Sequence, residues 1–113
     1  MTVRDVAAIT GATALTRETL LDREVTRGYA CDLLSWVMAH GAPGMAWITV
    51  QTHMNVVAVA LLMEMACVIV PERIAVPDDV LARADAEGIA VLGSDKTAYQ
   101  LSGLLHEQGL LGG

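Results

Sequence analysis

Apolar residues run along this chain in short bursts, and the bursts alternate between two periods. Val3, Val6, Ala7 and Ile9 have helical spacing. Thr2 precedes them as a cap, Asp5 can reach back to complete a capping box, and Gly11 stops the helix. Ala12 to Leu15 reads as a short strand and Thr16 to Leu21 as a polar connection. Asp22 to Ala30, with the β-formers Val25, Thr26 and Tyr29, reads as the first full strand. It opens on a salt-bridging pair, Asp22 and Arg23. Asp32 is placed to cap a helix from Leu33 to His40, with Gly41 just past its end. After an Ala42-Pro43-Gly44 turn, Ala46 to Val50 is a continuous apolar strand of the kind covered on both faces. The polar loop Gln51 to Asn55 leads into Val56 to Met65, a helix apolar almost all round, and so either central or at an interface.

The second half repeats the alternation. Cys67 to Val70 is a buried strand ended by Pro71, and the loop Glu72 to Val76 carries Arg73. Pro77-Asp78-Asp79 starts a helix well: proline suits the first turn and the helix dipole favours the two acids. Leu81, Ala84 and Asp85 mark it as half exposed, and Gly88 ends it. Ile89 to Leu92 is a further strand and Gly93 to Lys96 a loop. Thr97 and Gln100 form a second capping box, for a helix through Leu101, Leu104 and Leu105. The pattern predicts an α/β fold: a parallel-rich sheet of about four to five strands flanked by helices, with right-handed crossovers. Residues 1–113 read as a single domain: an N-terminal helix and short strand (1–21), a core (22–108) and a flexible tail (109–113).

Composition sharpens this picture in three ways. The chain is 54% apolar and has no Phe, so its core rests on aliphatic and Met side chains. That much apolar residue on 113 residues predicts a surface shared with a partner subunit, a homodimer or larger. The net charge of −6, with no basic run, argues against nucleic-acid binding. No apolar leader opens the chain, and the run Met54 to Met65 falls short of the roughly 20 residues that span a bilayer, so the expectation is a cytoplasmic protein with no membrane contact. Cys31 and Cys67 lie far apart without paired spacing and read as free, buried thiols in a reducing cytoplasm.

Chemistry in an open α/β sheet sits beyond the carboxyl ends of its strands. The residues placed there are Gln51, Thr52, His53, Asn55, Arg73, Ser94, Asp95 and Thr97. Helix N-termini open at the same rim, so an anionic or nucleotide-like small molecule is the natural guest. The alternative is that these residues only cap helices; for Thr97 and Asp32 capping is the favoured reading, for Gln51 to Asn55 the two are even. His53 has the most catalytic appearance, with Asp95 or Asp32 as partner, although no nucleophile lies nearby in sequence. A metal site from Cys31, His53 and Cys67 is disfavoured, because Cys31 ends a strand and Cys67 begins one. No metal or other cofactor is expected. His40 and His106 fall late in helices and read as surface residues. Gly-x-x-x-x-Gly-Lys-[Ser/Thr] and Gly-x-Gly-x-x-Gly are both absent, and Lys96 is the one lysine, so nothing marks a kinase.

Asp22, Arg23, Thr26 and Gly28 also match an Asp-Arg pair, a Thr and a Gly, and the stretch resembles the motif that names the DRTGG domain family. Arg27 stands where the family usually has glycine. The run Trp47 to Ala60 is similar to that of short standalone members, with Met54 where they usually have proline. The resemblance covers nearly the whole chain. It implies a fold similar to the N-terminal domain of HPr kinase/phosphorylase, itself like the first domain of Mur ligases. Family members sit beside CBS domains in pyrophosphatases or in long phosphotransacetylases, and standalone members accompany iron-hydrogenase-type proteins. The resemblance therefore implies a non-enzymatic regulatory or ligand-sensing domain, with a redox enzyme or a kinase as the partner protein. The alternatives are a structural assembly subunit without ligand, and a small enzyme using His53.

Overall fold

The computed structural model describes residues 1–113. Helix α1 spans Val3–Thr10, strand β1 Thr13–Ala14, and a 3₁₀ turn Glu18–Asp22. There follow β2 (Arg27–Ala30), α2 (Leu34–His40), β3 (Met45–Ile48), α3 (Met54–Leu62), β4 (Cys67–Val70), α4 (Asp78–Glu87), β5 (Ala90–Gly93) and α5 (Ala98–Glu107). The five strands form one sheet in the order β1-β5-β4-β3-β2. Strands β2 to β5 are parallel, and β1 closes the far edge antiparallel to β5. The expected α/β architecture with a parallel-rich sheet is the one found.

Sequential parallel neighbours with right-handed crossovers must put their helices on one face. Helices α2, α3 and α4 cover that face, and α1, α5 and the 3₁₀ turn cover the other. Strand residues alternate between the two layers. Met45, Trp47, Val68, Val70 and Val91 point to the α2–α4 side; Ala46, Ile48, Cys67, Ile69, Ala90 and Leu92 point to the α1–α5 side. Both faces are buried, which is why these strands are unbroken apolar runs.

Local signals hold where a single side chain decides the geometry. Thr2 and Asp5 form a reciprocal capping box, as do Thr97 and Gln100. Gly11 and Gly88 end their helices in the left-handed conformation, at φ 72° and 75°. Several expectations fail. The strand from Asp22 shrinks to Arg27–Ala30, because Glu18–Asp22 coils into the 3₁₀ turn and Glu24 makes only an isolated antiparallel bridge to Thr2. Asp22 does not pair with Arg23; its carboxylate takes Arg4 at 3.2 Å. The α3 helix begins at Met54 and stops at Leu62, not at Met65. The last residues pack on the outer edge of the sheet. Leu110 is buried, the Gly28 N–H donates to the Leu111 carbonyl at 2.9 Å, and the Gly113 N–H donates to the Gly28 carbonyl at 3.0 Å. The end of the chain thus lies along β2 as a short parallel partner.

Candidate functional site

The four parallel strands end in register: Ala30 beside Ile48, Ile48 beside Ile69, and Ile69 beside Leu92. The loops after them therefore share one rim. The sequence-predicted residues all lie on these loops or at the helix starts they lead into, but the structure splits them into two groups. Arg73, Ser94 and Asp95 come together. Gln51, Thr52, His53 and Asn55 stand at the end of β3, and no hydrogen bond or ion pair joins them to the first group.

The Arg73 group is built by an unusual stretch of backbone. Glu72 and Arg73 both hold positive φ, 60° and 55°, a conformation that costs a side-chain-bearing residue about 1 kcal/mol or more. The bend is held by two hydrogen bonds to the neighbouring loop: Glu72 N–H to the Lys96 carbonyl at 2.9 Å, and Arg73 N–H to the Ser94 carbonyl at 2.8 Å. It turns the Arg73 side chain outward, 83% exposed, where its one ionic partner is Asp95 at a loose 3.9 Å. Ser94 Oγ accepts the Lys96 N–H at 3.0 Å and so fixes the following turn. Arg73, Ser94 and Asp95 line the polar side of a cleft of about 630 Å³, whose apolar side is Leu15, Ile74, Val76 and Leu81. A cleft of that size is in the range of small-ligand sites.

Sequence reasoning missed one wall of the cleft and the neighbouring lysine, which does not line it. Strand β1 and the residue after it supply Thr13 and Leu15 as a wall, because the antiparallel edge carries them beside β5. Lys96 reaches back toward α1: its Nζ would stand 3.4 Å from a side chain at Gly11. The ammonium thus lies against the carbonyl end of a helix with no basic residue in its own last turn. Its being the chain's one lysine was the available signal.

Of the remaining predicted residues, Thr97 and His53 act on the backbone, and the side chains of Gln51, Thr52 and Asn55 make no hydrogen bond within the chain. Thr97 accepts the Gln100 N–H at 3.2 Å. His53 caps α3, its Nδ1 accepting the Asn55 N–H at 3.1 Å, which leaves the proton of the neutral ring on Nε2. Neither Asp32 nor Asp95 hydrogen-bonds to His53. Asp32 caps no helix, for α2 starts from Leu33 without a side-chain cap. Its carboxylate instead accepts from Thr49 Oγ1 and the Val50 N–H, both at 2.9 Å, and ties the end of β2 to the end of β3.

The Asp-Arg-Thr-Gly residues sit away from the rim. Arg23 donates to the Glu64 carbonyl at 3.2 Å, beyond the end of α3. Thr26 Oγ1 donates to the Pro43 carbonyl at 3.2 Å, and the Thr26 N–H to the Gly44 carbonyl at 2.9 Å. Those partners precede β3 and β4, so the motif fastens the amino ends of the strands, opposite the candidate cleft.

Comparison with known structures places the fold in a class. The chain is similar to part of the CBS and DRTGG domain region of the Clostridium perfringens pyrophosphatase, whose crystal structure holds the activator diadenosine tetraphosphate. The TM-score is 0.68 at 14% identity, over 89% of this chain and 44% of that one. At that identity the likeness concerns the fold, and this chain spans less than half of that chain's length. No family model and no curated protein matches the sequence. No helix is long and apolar enough to cross a membrane.

Proposed function

We propose that this chain is a regulatory, ligand-sensing domain whose rim cleft takes a small anionic, nucleotide-like molecule. The observation that carries the reading is Arg73. Two adjacent left-handed residues aim its guanidinium into solvent at the mouth of the cleft, and one weak ion pair leaves its other donors free. A planar guanidinium with free donors suits a phosphate or carboxylate. The regulatory region with the similar fold is complexed with a nucleotide activator, which supports the same class of guest here. A catalytic role for His53 has less support, since its Nδ1 is occupied by the α3 backbone and no acid or nucleophile is bonded to it. A partner protein, redox enzyme or kinase, would read the liganded state, and a homodimer would display it twice.

The test is a thermal-shift series with diadenosine tetraphosphate, AMP, ADP and ATP, followed by calorimetry on any that bind. A ligand at a hundred times its Kd should add about 2.7 kcal/mol of stability. Arg73→Ala should weaken binding at least tenfold while the domain stays folded. His53→Ala should leave affinity unchanged if the site is confined to the ends of β4 and β5. No stabilisation by any of the four, or wild-type affinity in Arg73→Ala, would overturn the proposal.

A further inference from the structure

We propose that a second cleft, between α5 and the outer strand β2, binds a planar, uncharged heteroaromatic ring. It has a volume of about 560 Å³, within the usual range of small-ligand sites. Its floor is Gly28, Ala30 and Ile48; its wall is the side of α5 that carries Tyr99, Ser102, Gly103 and His106. No Asp, Glu, Lys or Arg lines it.

Gly28 and Gly103, two of the four glycines that line the cleft, keep this space open, and neither has to be glycine for anything else the structure shows. Gly103 lies inside a helix, where glycine is the poorest choice after proline. Its backbone is not left-handed, and a side-chain carbon there would meet nothing within 4 Å. Gly28 is likewise not left-handed, and a side-chain carbon would rest 3.5 Å from Leu110 Cδ2, an ordinary contact. Glycine at both positions is therefore explained neither by turn geometry nor by tight packing. What the two share is that each faces this cleft, and a methyl group at either would narrow it.

The groups around the opening suit a ring with polar edges. Tyr99 stands at the mouth, 90% exposed, a large aromatic face with no partner. The Tyr99 hydroxyl, Ser102 Oγ and the His106 ring make no hydrogen bond within the protein, so all three are free for a ligand. Strand β2 is the sheet edge, and beyond the bridge at Gly28 no strand lies beside Ala30, so backbone groups are available there as well. Stacking on an aromatic side chain is tolerant of ring identity, while edge hydrogen bonds select a heteroaromatic over a hydrocarbon. A lining without Lys or Arg disfavours a phosphate here. The cleft and the Arg73 cleft share no lining residue, so the two proposals stand apart.

The experiment is amide chemical-shift mapping of the ¹⁵N-labelled protein with adenosine as the probe and AMP as the charged comparison. Saturable shifts are expected at Gly28, Gly103 and Tyr99, with AMP binding there more weakly than adenosine. Tyr99→Ala should weaken adenosine at least fivefold. Gly103→Leu should abolish the shifts while unfolding at or above the wild-type temperature, since leucine is the better helix former. Gly28→Ala provides a second, smaller obstruction and should weaken binding if Gly103→Leu does not fold. Arg73→Ala should change nothing at this cleft, which separates failure here from failure at the rim. Adenosine shifts that fall elsewhere, or that persist in both glycine variants, would overturn the proposal.

Discussion

Thr26 leaves no room for a side chain at Gly44. A Cβ there would lie 2.6 Å from Thr26 Oγ1 and 3.0 Å from its Cγ2, and Gly44 already holds φ 79°. Backbone and neighbour demand glycine independently. Gly88 has nearly the same φ, 75°, but nothing within 4 Å of where its Cβ would be. The pair therefore separates conformational strain from collision. Gly88→Ala should cost about 1 kcal/mol, the strain alone. Gly44→Ala should cost more than about 2 kcal/mol. In a Thr26→Ala background the offending Oγ1 and Cγ2 are gone, so Gly44→Ala should fall back by about 1 kcal/mol or more. Urea unfolding of the four variants measures the coupling; equal costs for Gly44→Ala in both backgrounds would show that the collision relaxes freely.

This clasp shows what the sequence could and could not reveal. The core strands were legible because a strand buried on both faces must be apolar at every position, and Met45–Ile48 and Cys67–Val70 are. The capping boxes were legible because both partners lie three residues apart. Errors arose where a polar residue had a choice of partner. Asp32 sits two residues before the first residue of α2, yet the Thr49 hydroxyl and Val50 N–H, from 17 and 18 residues away, hold it instead. Val25 and Thr26 are strand-forming residues, but burial of Leu21 and Val25 against α1 fixes the segment before Arg27 outside the sheet. Of the candidate site, the rim was legible from strand order alone. That Arg73 meets Asp95 and His53 does not depends on which loops adjoin, and only the fold decides that.

Cys67 and Cys31 should differ sharply in reactivity. Both are free, but Cys67 is fully buried in β4 and Cys31 is half-buried after β2. Burial pushes the Cys67 thiol up from its ordinary 9.0 to about 12, with Arg23 pulling weakly the other way. The folded protein thus holds this proton more tightly than the unfolded chain. Its contribution to stability is complete below pH 9 and is lost as pH rises from 9 towards 12, by up to about 1.4 kcal/mol per pH unit. Iodoacetamide at pH 8 should add one group to the native protein, at Cys31, and two after denaturation. Modification of Cys67 at the rate of Cys31 in the native state would contradict this assignment.

The outer face of α3 points to self-association. This helix is the middle one of its layer, flanked by α2 and α4. Its inner side, Val56, Val57, Val59 and Ala60, is buried on the sheet. Its outer side carries Ala58, Leu61 and Leu62, and Leu62 is 66% exposed, where a soluble helix normally carries charge. The adjacent α2 segment adds exposed Leu33, Trp36 and Met38. The N-terminal helix cannot cover this surface, because Val3 and Val6 pack α1 into the opposite layer. A second copy related by a two-fold axis is the commonest cover for such a face, and it should bury at least about 1,000 Å² in total. Sedimentation at micromolar concentration should therefore give twice the 11.9 kDa chain mass. Leu61→Glu with Leu62→Glu should shift it to monomer with little loss of fold, since both side chains are exposed in the single chain. A clean monomer for the wild-type protein would show that α3 leaves its apolar side in water.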